Sequence, residues 1–70
     1  MDFAFELVSD EAREFCEEIL RELEQSHGVP RVVGIRRMNA MWKGYRLGEP
    51  GETLFHDEPD VWAKRIAERV

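Results

Sequence analysis

The chain has 70 residues, is 43% hydrophobic and 36% charged, and carries a formal net charge of −5. That length admits one domain, residues 1–70, and leaves about 4,500 Å² exposed of the roughly 12,000 Å² of the extended chain, a marginal burial for a monomer. The composition, with only two serines and one threonine, excludes a low-complexity or disordered segment. The absence of a long apolar run argues against a membrane span, and acids at Asp2 and Glu6 argue against a signal peptide, so a cytoplasmic protein is expected. The lone Cys16 excludes an internal disulfide framework and a cysteine-rich zinc site.

At the N-terminus, Phe3, Phe5 and Leu7 alternate with Ala4, Glu6 and Val8. A period of two predicts an extended lead-in that crosses the core rather than a helix.

From Ser9 onward the apolar residues Ala12, Phe15, Cys16, Ile19, Leu20 and Leu23 recur at i, i+3, i+4 and i+7, the stripe of an amphipathic helix. Ser9 is placed to accept a hydrogen bond from an orphan backbone N–H, and Asp10 and Glu11 put negative charge at the positive end of the helix dipole. Gly28 and Pro30 predict a stop near Ser26 or His27. Cys16 falls inside the apolar stripe, which predicts a small hydrophobe rather than a nucleophile.

Residues 30–44 suit a second helix with Pro30 in its first turn, where a missing N–H costs nothing. Val32, Ile35, Met38, Met41, Trp42 and Tyr45 then fall largely on one side. Gly34 and the β-branched Val32, Val33 and Ile35 argue for a short strand instead. Residues 36–42 show no alternation, and helix is the expectation.

Residues 44–56 read as a loop around Gly48-Glu49-Pro50-Gly51, a dense turn signal. Tyr45-Arg46-Leu47 and Thr53-Leu54-Phe55 flank that turn and suit a short two-stranded ribbon, marginal unless one face is packed. Residues 57–70 open with acids and a proline and close with Arg69, as a helix does, with Trp62, Ile66 and either Ala63 or Val70 inward. The expected fold is a mainly α, three-helix small domain with an extended N-terminal segment and a short β-ribbon in the 44–56 loop.

Charge is segregated along the chain: residues 1–26 carry net −7, residues 27–47 net +5 with no acid, residues 48–60 net −5, and residues 61–70 net +2. The basic 31–46 segment, Arg31, Arg36, Arg37, Lys43 and Arg46, has two readings. Clustered cations can face phosphates and gain affinity by counterion release, or they can lie against the acidic first helix as weak surface pairs. The net negative field repels a polyanion at long range, which favours the second reading and a protein partner. The order Trp42-Lys43-Gly44-Tyr45-Arg46 is similar to a stacking platform for single-stranded nucleic acid, yet a chain this short needs its rings in the core.

Few residues are equipped for catalysis. Ser9 and Ser26 fall at helix ends, as does His27. His56, Asp57, Glu58 and Asp60 form the one local cluster of metal-ligating or acid–base type, but adjacent residues point apart and no i, i+4 histidine pair joins them. Helix capping accounts for the acids, and a metal-dependent enzyme around His56 is the weaker reading. No catalytic residue, metal ligand or cofactor is expected.

Met38-Asn39-Ala40-Met41-Trp42, followed by Phe55-His56-Asp57-Glu58-Pro59-Asp60-Val61-Trp62-Ala63, resembles small bacterial helical domains of uncharacterised function. Those carry an Ile-Asn-x-x-Trp helix, a short loop and a His-Glu-x-Pro-Glu-x-Trp-Ala helix start. The resemblance covers the C-terminal half, with Met38 at the aliphatic position and a different spacing across Asp57-Glu58-Pro59. It implies a helical fold and no biochemical activity.

A small acidic interaction or regulatory module is therefore expected, its partner a protein or a second copy of the chain. Arg36, Arg37, Trp42, Lys43, Tyr45 and Arg46 form the expected contact surface, together with the glutamates of the first helix.

Overall fold

A computed structural model describes residues 3–7, 9–44, 46–47 and 57–68. The order of elements is β1 (Glu6–Leu7), α1 (Asp10–His27), α2 (Arg31–Trp42), β2 (Arg46–Leu47) and α3 (Pro59–Glu68). A mainly α, three-helix domain is thus the architecture, and its radius of gyration of 11.1 Å is what a compact chain of this length has, about 11 Å.

Helix α1 begins where its side chains dictate. Ser9 is extended and its Oγ accepts a hydrogen bond from Ala12 N–H at 3.1 Å, satisfying one of the orphan donors of the first turn. At the other end Gly28 adopts φ 66°, and the N–H groups of Gly28 and Val29 donate to the Leu23 carbonyl. A left-handed residue without a Cβ closes the helix at little cost. The predicted stripe is the buried face: Ala12, Cys16, Ile19, Leu20 and Leu23 lie inside, and Phe15 packs at its margin.

Residues 31–42 form a helix, not a strand, with Pro30 one position before the first helical residue. The buried face consists of Gly34, Ile35, Met38 and Trp42. Val32, expected on this inner side, is half exposed, and Gly34 takes its place. A Cβ at position 34 would lie 2.7 Å from Leu20 Cδ2 and 3.2 Å from Leu23 Cδ1, so the missing side chain is what lets α2 approach α1. The residue that argues for a strand by propensity is a packing contact in the fold.

In α3, Pro59 occupies the first helical position and the Glu58 carbonyl accepts hydrogen bonds from Val61 and Trp62 N–H. Ala63 and Ile66 are buried and Trp62 packs beside them. Helix α1 contacts both α3 and α2, and its apolar stripe forms the centre of one continuous core. Fully burying a side chain such as Ile19, Leu23, Ile35 or Ile66 contributes about 1.5–3 kcal/mol.

The N-terminal segment is extended, as its alternation predicts, with Phe5 buried, Phe3 and Leu7 partly so, and Ala4 and Glu6 outward. Residues 46–47 form a strand, as expected, and it has a partner that the sequence reading did not name. β2 pairs in parallel with β1, Glu6 against Arg46 and Leu7 against Leu47. Thr53-Leu54-Phe55, the expected partner, lies outside the described residues. The two strands lie at opposite ends of the α1–α2 pair in sequence, a relation that parallel strands require and a tight turn cannot make. The Ala4 N–H donates to Asn39 Oδ1 at 2.8 Å, fastening the segment to α2. No helix among the described residues is long and apolar enough to cross a membrane.

Candidate interaction surface

Tertiary structure divides the basic middle segment into engaged and free cations. Arg31, at the start of α2, makes a bidentate pair with Glu17 of α1, Nη1 to Oε2 at 2.7 Å and Nη2 to Oε1 at 2.8 Å. The guanidinium holds the Glu17 carboxyl below the usual carboxylate range, chiefly through this hydrogen bonding. Arg37, half-buried, crosses to α3 and donates from Nη1 to the carbonyls of Ile66 at 3.2 Å and Ala67 at 3.4 Å. A cation there meets the negative end of the α3 dipole and satisfies late carbonyls of the helix. Arg37, expected on a contact surface, thus has an engagement within the molecule.

Trp42 is likewise turned inward. Only 3% of it is exposed, and its ring sits 5.4 Å from Phe5 and 5.5 Å from Trp62, edge to face with both. Phe3 extends the series beyond Phe5 at 5.2 Å, and the Arg65 guanidinium covers Trp62 at 4.9 Å. This aromatic ladder ties the N-terminal segment, α2 and α3 together. A buried indole cannot stack on a base, and Trp42 lies in the core, the placement favoured for it from the sequence.

Arg36 and Lys43 remain. Both are exposed, and neither makes a hydrogen bond or ion pair among the described residues. At 100° per residue, Val32, Arg36 and Ala40 fall on one outward stripe of α2, which Lys43 continues at the C-cap, and Val32 is 50% exposed. Helix α2 contains no acid. Tyr45 lies outside the described residues, and Arg46 is placed by its backbone in β2.

The outer face of α1 is its electrostatic opposite. Glu11, Glu14 and Glu18 are exposed and fall within about 60° of one another around the helix, with Arg21 at the edge of that stripe. At the α1–α2 junction an open recess of about 180 Å³ is lined by Glu17, Leu20, Arg21, Glu24 and Arg31. Two acids and two bases share its wall, so it selects neither an anion nor a cation.

Cys16, Ser9, Ser26 and Asp57 each have a structural place. Cys16 is buried, and burial together with the neighbouring Glu17 charge pushes its thiol up to about 12, far from the thiolate a nucleophile needs. Ser9 caps α1, and Ser26 Oγ donates to Glu22 Oε2 one turn back at 3.1 Å. Asp57 pairs with Arg65 at 2.8 Å, Asp60 stands exposed in the first turn of α3, and His56 lies outside the described residues. Among the described residues no group of three or more His, Cys, Asp or Glu is placed to hold a metal ion.

Sequence reasoning identified Arg36 and Lys43 but not the stripe they share with Val32 and Ala40. The signal was present in the spacing of 32, 36, 40 and 43, hidden by the assumption that Val32 is a core residue. No protein-family model matches the chain, and no curated protein and no solved structure matches it either.

Proposed function

We propose that the protein is a cytoplasmic protein-interaction module that docks an acidic protein surface on the outward stripe of α2. The observation that carries this reading is the division of the cations. Arg31 and Arg37 are engaged within the molecule, whereas Arg36 and Lys43 project beside the half-exposed Val32 and the small Ala40 with no partner among the described residues. Such a face combines apolar area for affinity with charges that set register and partner choice. A binding role rather than catalysis is supported by Cys16, Ser9 and Ser26, each of which has a structural task. The negative net charge and the inward Trp42 favour a protein over a nucleic acid as the partner.

A photo-crosslinking amino acid in place of Arg36 or Lys43, introduced in the cell of origin, tests the proposal. Crosslinks to protein are expected from these two positions and not from the exposed control positions Gln25 and Lys64. Equal yields at all four positions, or none at 36 and 43, would refute it.

A further inference from the structure

We infer that the partner of the α2 stripe is the acidic face of α1 on a second copy of the same chain. This rests on the protein-binding reading and adds the identity of the occupant. The complement that Arg36 and Lys43 require is already present on the molecule. Glu11 and Glu18 stand seven residues apart on α1, with Glu14 between them, and Arg36 of α2 stands seven residues before Lys43, the residue that caps that helix, with Ala40 between them. In either helix that separation is two turns, about 10.5 Å along the axis. When the two faces meet, in either sense, each cation reaches a glutamate while the methyl group of Ala40 leaves room for close approach.

These charges do not satisfy one another within a single chain. Between α1 and α2, Arg31 pairs with Glu17 at the junction of the helices, whereas Glu11, Glu14, Glu18, Arg36 and Lys43 are exposed and make no ion pair among the described residues. A two-fold pairing engages both faces twice, α2 of each copy on α1 of the other, and closes without leaving a sticky end. Two chains of net charge −5 repel at a distance, but at physiological ionic strength that repulsion is screened beyond about 8 Å. Contact pairs then decide the outcome.

The test is a charge exchange read by analytical ultracentrifugation. The doubly substituted Arg36→Glu, Lys43→Glu chain has two acidic faces; the triply substituted Glu11→Lys, Glu14→Lys, Glu18→Lys chain has two basic ones. The wild type should sediment at twice its 8.2 kDa at the upper end of a titration from about 1 μM to about 1 mM. Each variant alone should dissociate about a hundredfold more readily, and an equimolar mixture should regain the dimer. All five positions are exposed, and unchanged helical circular dichroism confirms folding; the neutral pair Arg36→Gln, Lys43→Gln, expected to weaken the dimer less, repeats the test with the milder change. A wild type that stays at 8.2 kDa throughout, or variants that dimerise as well as the wild type, would overturn the inference. If crosslinks from positions 36 and 43 then reach a different protein, the interaction module stands without self-pairing; if they reach none, both readings fall.

Discussion

Leu20 Cδ2 lies where it would be 2.7 Å from a Cβ on Gly34. Helix α2 is thus held against α1 at a distance only glycine permits without movement of the leucine. Gly34→Ala gains up to about 1 kcal/mol of helix propensity but pushes two buried leucine side chains, a cost of about 1–3 kcal/mol. A net loss of about 1 kcal/mol is expected in urea denaturation, and Gly34→Val should lose more. An alanine variant more stable than wild type would show that Leu20 and Leu23 repack freely.

The Glu17–Arg31 pair predicts a specific pH dependence. The folded-state pKa of Glu17 lies below its ordinary value of 4.5, so the unfolded chain takes up the proton first. The stability this contributes is present in full above the unfolded pKa and is lost as pH falls through the folded one. Arg31 is 52% and Glu17 33% exposed in their side chains, and solvent keeps the coupling to about 0.5–1 kcal/mol. A double-mutant cycle with Glu17→Gln and Arg31→Gln should give that value at pH 7 and approach zero once Glu17 is protonated. Coupling that persists in acid would point to packing instead.

Cys16 should be silent toward thiol reagents. With its thiol pushed up to about 12 and its side chain buried, labelling at pH 8 should proceed only as fast as the protein opens. Cys16→Ser places a hydroxyl among apolar neighbours and should cost about 1–3 kcal/mol, measured by thermal or urea unfolding. Rapid labelling of folded protein would contradict this burial.

Arg37 should stabilise the C-terminal end of α3. Arg37→Met keeps much of the aliphatic bulk but removes the donor to the Ile66 and Ala67 carbonyls, with an expected loss of about 1–2 kcal/mol. Amide hydrogen exchange should accelerate near the end of α3 and change little in the first turns of α1. Uniform acceleration would mean that α3 does not fray independently.

Trp42 is the joint of the aromatic ladder, between Phe5 and Trp62. Trp42→Ala should cost about 3–5 kcal/mol and release the N-terminal segment, read as increased proteolysis near residues 3–7. Loss of fold without any change in partner binding by the residual folded fraction is the expected pattern; a surface role for Trp42 would give the reverse.

Local signals were sufficient for the helices. The capping hydroxyl of Ser9, the left-handed Gly28 and the 3.6-residue stripe from Ala12 to Leu23 act through neighbours in sequence, so α1 was legible residue by residue. The alternation of Phe3, Phe5 and Leu7 likewise reported which side of an extended segment faces inward. Three other features depend on residues far apart in the chain. The strand at 46–47 was visible, but its partner Glu6–Leu7 was not, because β-pairing is a long-range choice that local sequence does not report. Gly34 carried an unfavourable propensity whose compensation, close contact with Leu20, exists only once α1 and α2 meet. The five cations of residues 31–46 formed one block in sequence; packing divided them, sending Arg31 to Glu17 and Arg37 to the end of α3 while leaving Arg36 and Lys43 outside. Charge content is a property of composition, whereas a charge's availability depends on which groups the fold brings within hydrogen-bonding distance.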